Sequence, residues 1–139
     1  MKAQLLATRA SVAAAPIRIE YSHAAGCLRA KVSGHNASLE TTVAYWSEIA
    51  GEVRRLRPGT LLVIDDMSGG PPCAADLQQF VDAMAGKGFE GVRIAYVEAH
   101  GDQIAKVEVG EILARERGYK ARVFGDENQA SLWLRHGET

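Results

Sequence analysis

The chain has 139 residues, 47% of them hydrophobic and 24% charged, with a formal net charge of −1. That length supports one domain around a single core, and that charge offers no general attraction to nucleic acid or to an anionic membrane. Cys27 and Cys73 form no CxxC and no zinc motif, and no apolar run approaches the ~20 residues of a membrane helix, so a reduced, cytoplasmic setting without a membrane span is expected.

Residues 1–15 carry Lys2 and Arg9 and no acid, and their apolar pieces are too short for a secretory segment. They are expected to form an N-terminal arm, either mobile or packed, ahead of one domain over 16–139. IRIEY (17–21) and CLRAKVS (27–33) alternate apolar and polar residues, which predicts two half-buried strands joined by the SHAAG loop as an antiparallel hairpin. A helix follows, capped by Asn36 or Ser38, with an apolar stripe of Leu39, Val43, Trp46, Ile49, Val53 and Leu56 and a stop at Pro58-Gly59. Residues 60–66 form a strand that is apolar on both faces until Asp65 and Asp66, which predicts a central strand. A helix is expected from Ala74 to Ala85, then a strand over 92–99. A third helix capped by Asp102 would bury Ile104, Val107, Ile112 and Leu113. A short strand over 121–124 precedes a last helix that starts at a capping box, Asp126-Glu-Asn-Gln129, and turns Ala130, Leu132 and Trp133 inward. The fold class is therefore α/β: one mixed five-stranded sheet in the order β-β-α-β-α-β-α-β-α, with the first strand antiparallel and the last four parallel.

This order, the strand LLVIDDMSG running straight into a helix, the segment GFEGVRIAYVEAHGDQIAKVEVGEILARERGYKARVF and the tail FGDENQASLWL together resemble the SpoIIAA-like or STAS family, in particular its single-domain bacterial STAS/SEC14-like members. The resemblance covers residues 17 to about 135. It implies sequential strand order, helices mainly on one side of the sheet, and a non-catalytic regulatory or interaction role with no cofactor. It also implies a phosphorylatable serine at the start of the helix after the central strand, where a helix N-terminus stabilises a phosphate. Cys73, Ala74 and Ala75 occupy that place, so this switch is expected to be absent.

Several candidate sites lie at the strand ends, where open α/β sheets bind ligands. Asp65 and Asp66 point to opposite faces if both are extended, and one of them is expected to accept hydrogen bonds from the following turn. The corner Asp66, Ser68, Gly69, Cys73 and Asp76, with Glu98, His100 and Asp102, is the expected partner- or ligand-binding site. Its free helix amides would suit a small anion. Asp66, Glu98, His100 and Asp102 could alternatively serve a divalent metal or acid–base catalysis, although no spacing motif supports a metal. Cys73 at a helix start could be reactive, but no histidine adjoins it in sequence. Arg18, Arg29, Lys31, Arg93 and Arg122 would share one sheet face with an apolar centre, to be covered by the N-terminal arm or by a second subunit. A small apolar-ligand or lipid carrier is a further alternative. It would need a cavity near Trp46, Phe80 and Leu113, in a core expected to be filled by its own side chains.

Overall fold

The computed structural model describes residues 10–11, 17–36, 38–70 and 72–137. The elements are β1 (Ala10–Ser11), β2 (Arg18–Ala24), β3 (Cys27–His35), α1 (Leu39–Leu56), β4 (Thr60–Ser68), α2 (Ala74–Ala83), β5 (Arg93–Glu98), α3 (Ile104–Glu116), β6 (Lys120–Phe124) and α4 (Glu127–His136). The five expected strands form one sheet in sequential order, with β2 antiparallel to β3 and the pairs β3–β4, β4–β5 and β5–β6 parallel. Two residues of the expected arm, Ala10 and Ser11, add a short antiparallel strand beside β2. The rest of the arm lies outside the described residues. Among the described residues no helix is long and apolar enough to cross a membrane.

Local chemistry accounts for most boundaries. The β2–β3 turn is tighter than the SHAAG loop predicted, because Ala25 and Gly26 both adopt positive φ, at 53° and 78°, in the manner of a two-residue hairpin turn. The Gly26 carbonyl then accepts the amides of Gly59 and Thr60, tying the start of β4 to the hairpin. Ser38, not Asn36, caps α1: its Oγ accepts the Thr41 amide at 3.2 Å. Ser38→Ala is expected to cost about 1 kcal/mol in urea unfolding, and a loss below ~0.3 kcal/mol would show that the cap is dispensable. Asp126 caps α4 by accepting the Asn128 amide at 2.9 Å. Asp102 does not cap α3. It sits within a 3₁₀ turn (Gly101–Gln103), and Gln103 leads directly into the helix.

Helices α1, α2 and α3 cover one face of the sheet, over a core that includes Ile19, Leu28, Val32, Ile49, Leu61 and Val63. Helix α4 crosses the other face, where Ala130, Trp133 and Leu134 pack on Leu62, Ile64, Ala95 and Val97. This corrects the expectation that the arm or a second subunit covers the apolar centre of that face. Two of the arginines there serve α4 directly. Arg29 pairs with Glu127 at 3.0 Å, and Arg93 donates to the Leu134 carbonyl at 2.9 Å, near the helix C-terminus where a cation is favoured. Leu132 is 44% exposed and Ile112 57% exposed, against expectation. In α4 the inward stripe runs through Ala130, Trp133 and Leu134, and in α3 only Val107 is fully buried.

Candidate functional site

The residues expected at one crevice divide between the two faces of the sheet. Asp66 is exposed, and its only ionic neighbour among the described residues is His100, at 3.9 Å. Ser68 Oγ donates to the Gly34 carbonyl at 3.2 Å and meets His35 Nδ1 at 3.0 Å. Gly69 has φ 84°, and a Cβ there would lie 2.4 Å from the Asn36 carbonyl oxygen, so backbone contact explains this glycine without a ligand. Cys73 is exposed and precedes α2 without a side-chain cap, while Asp76 lies in the first turn of that helix. Asp102 is exposed and accepts a hydrogen bond from Gln103. Among the described residues no group of three or more His, Cys, Asp and Glu side chains is placed to hold a metal ion.

Glu98 turns the other way. It is 4% exposed and lies beside Asp65, its register partner across β4 and β5, which is 7% exposed. The two carboxyls lie close enough for each to act on the other. Asp65 Oδ1 accepts the Met67 amide at 2.9 Å, the local turn bond expected of one of the two aspartates. Asp65 Oδ2 accepts the Tyr96 hydroxyl, and the buried Tyr45 hydroxyl lies alongside. Glu98 accepts the His100 amide at 3.0 Å. Burial raises the Asp65 carboxyl above the usual carboxylate range, against the pull of the Tyr96 and Met67 bonds. Burial first, and then the Asp65 charge, pushes Glu98 up to about 7. Both carboxyls are therefore easier to protonate than a carboxyl in water. Burial, with Asp65 as a further cause, also raises Tyr45 and Tyr96, which stay protonated.

Asp65, Tyr45 and Tyr96 of this cluster line a cavity of about 120 Å³ between α1, α2, α3 and the sheet, and Glu98 is not part of the lining. The walls are mainly apolar: Trp46 from α1, Leu77 and Phe80 from α2, then Met84, Phe89 and Tyr96. At the polar end Asn36 Nδ2 donates to Thr42 Oγ1 at 3.0 Å, and both residues line the cavity with Asp65. The cavity corrects the expectation of a filled core. Trp46 and Phe80 line it as the carrier reading required, and Leu113 does not.

Its origin lies in α3. The cavity-facing side of that helix presents Gly110 and Ala114, and Ala121 faces them from β6, so little side-chain volume enters. Polar bridges set the position of α3 in its second half. Glu111 Oε1 accepts the Val123 amide at 2.7 Å, and Arg115 Nε donates to the Ala121 carbonyl at 2.9 Å. These bonds also satisfy the outer edge of β6, which would otherwise offer free backbone groups.

Sequence reasoning gave Asp65 only its local role and did not assign Tyr45, Tyr96, Asn36 or Thr42 to a site. Strand parity carried the missing signal. Asp65 follows Leu61 and Val63 on the inner face, and Glu98 follows Ile94 and Tyr96, so both acids belong on the face that α1 covers. No protein-family model and no curated protein matches the chain.

Proposed function

We propose that the protein is a non-catalytic ligand-binding module on a STAS/SpoIIAA-like scaffold, and that its ligand is a small, largely apolar molecule taken into the cavity beneath α1, α2 and α3. One observation carries this reading: an apolar cavity of about 120 Å³ whose lining includes the buried polar residues Asn36, Thr42, Tyr45 and Asp65. Pockets of this kind, with apolar walls and a few placed polar groups of shifted pKa, are the usual form of small-molecule sites. The volume suits a single-ring body. The absence of a hydroxyl at Cys73, Ala74 and Ala75 agrees with a scaffold that responds to a ligand and not to phosphorylation at the start of α2.

Toluene titrated into the full chain is expected to shift the NMR signals of Trp46, Phe80 and Ala114. Ala114→Phe, which places a ring in the space, is expected to weaken toluene binding about tenfold or more while keeping the native signal dispersion. Ala121→Leu fills the space from the opposite wall and should act in the same direction. Absence of toluene binding, or equal binding by both filled variants, would rule the reading out.

A further inference from the structure

We infer that the cavity selects a small organic cation, a primary ammonium on a single-ring or branched apolar body, with its nitrogen at the Asp65 end. The inference rests on the cavity reading above and names the ligand class.

Charge is the first argument. Asp65 and Glu98 lie side by side, both more than nine-tenths buried, and no arginine or lysine among the described residues forms an ion pair with either. Buried carboxylates are ordinarily matched by a cation, because an unmatched one loses its hydration without return. The groups around the pair supply it only in part: His100 draws on both carboxyls from a half-exposed position, and Arg122, in the cavity lining, holds its guanidinium over the Phe124 ring. Tyr45 from α1 and Tyr96 from β5 are neutral donors. His100, beyond the end of β5, is 43% exposed in its side chain and lies toward Asp66. Glu111, the acid that α3 brings to the cavity wall, is engaged by Arg115 and the Val123 amide. An ammonium entering the cavity would provide the missing positive charge.

The walls are the second argument. Tyr45, Trp46, Phe80, Phe89 and Tyr96 surround the space, and the negative faces of aromatic rings attract cations most strongly where water is excluded. Asp65 Oδ1 accepts the Met67 amide and Oδ2 the Tyr96 hydroxyl, and even with Glu98 alongside, a carboxylate with about four acceptor sites keeps capacity for an ammonium N–H. An ammonium beside Asp65 favours the ionised form of the carboxyl pair, so binding releases a proton to solvent at any pH where the pair still holds one.

Benzylamine, benzyl alcohol and benzoate share one body and differ in charge, and calorimetry on the full chain separates them. Benzylamine is expected to bind about tenfold or more tighter than benzyl alcohol at pH 8. The margin should narrow toward pH 6, with proton release seen as a dependence of the heat on the buffer. Benzoate should not bind measurably. Asp65→Asn should bring benzylamine down to the level of benzyl alcohol while benzyl alcohol binding persists, which also reports that the variant is folded. Glu98→Gln, as a second variant, should remove the proton release. Benzyl alcohol binding as tightly as benzylamine to the unaltered chain would overturn this inference and leave the cavity reading standing. Failure of all three probes, and of toluene, would overturn both.

Discussion

Replacing Trp46 by Ala is expected to destabilise the protein by about 3 kcal/mol, the lower end of the usual cost for removing a buried aromatic side chain. Trp46 is 8% exposed and its ring meets four others. It lies 5.6 Å from Phe89 edge-on, 5.6 Å from Phe80, 5.9 Å from Tyr45, and 6.1 Å from Tyr96 in a stacked arrangement. These contacts join α1 to α2, to the segment before β5, and to β5 itself, so the loss should be felt across the whole three-helix face. The cost stays at the lower end because one side of the ring already borders open space. Urea unfolding should show a lower midpoint with a nearly unchanged slope, since the folded and unfolded surfaces change little. A loss below ~1 kcal/mol would mean that the neighbouring rings collapse into the gap, and that the cavity is a soft region of the core and not a formed site.

Stability is expected to fall as pH rises from about 5 to about 7, by about 2 kcal/mol, and then to level off. Glu98 ordinarily ionises near 4.5, and in the folded chain its carboxyl is pushed up to about 7. Between those values the native state binds more protons than the unfolded state, and each rise in pH then favours unfolding. Asp65, also raised by burial, adds to the same slope. Glu90 is held down by the Gly86 amide and acts in the opposite sense, but only as pH falls below the usual carboxylate range, outside this window. Glu98→Gln keeps the shape of the side chain and an acceptor for the His100 amide. It should flatten the profile and make the variant more stable than the parent at pH 8. Unfolding curves for parent and variant at pH 5, 6, 7 and 8 test this. A parent whose stability rises steadily through the window, or a variant with the same slope, would show that the acid pair is not proton-linked to folding.

Much of the fold is legible along the chain because secondary structure is a local matter. Alternation over 17–21 and 27–33, the continuous apolar run over 60–66 and the i, i+3, i+4 stripe from Val43 to Val53 each follow from the geometry of a single element. Caps are equally local. Ser38 and Asp126 bond amides two or three residues away, and Asp65 bonds the amide of Met67. Where this local logic failed, a distant contact had intervened. Tyr45 and Thr42 are buried beside the acid cluster despite their hydroxyls. Leu132 is exposed because α4 turns Leu134 in its place onto the cluster of Leu62, Ile64, Ala95 and Val97.

The amino-acid sequence by itself determined the order of elements, the parallel sense of the later strands, the corner at residues 66–76 and the lack of a serine at the start of α2. Tertiary structure alone decided that Asp65 meets Glu98 and not Asp66, that α4 and not another chain covers the second face, and that Gly110, Ala114 and Ala121 leave a space between them. Periodicity of 2 or 3.6 tells which way a side chain points within its own element. The register between β4 and β5 and the distance of α3 from the sheet depend on contacts between residues far apart in the chain, and those settle what each side chain meets.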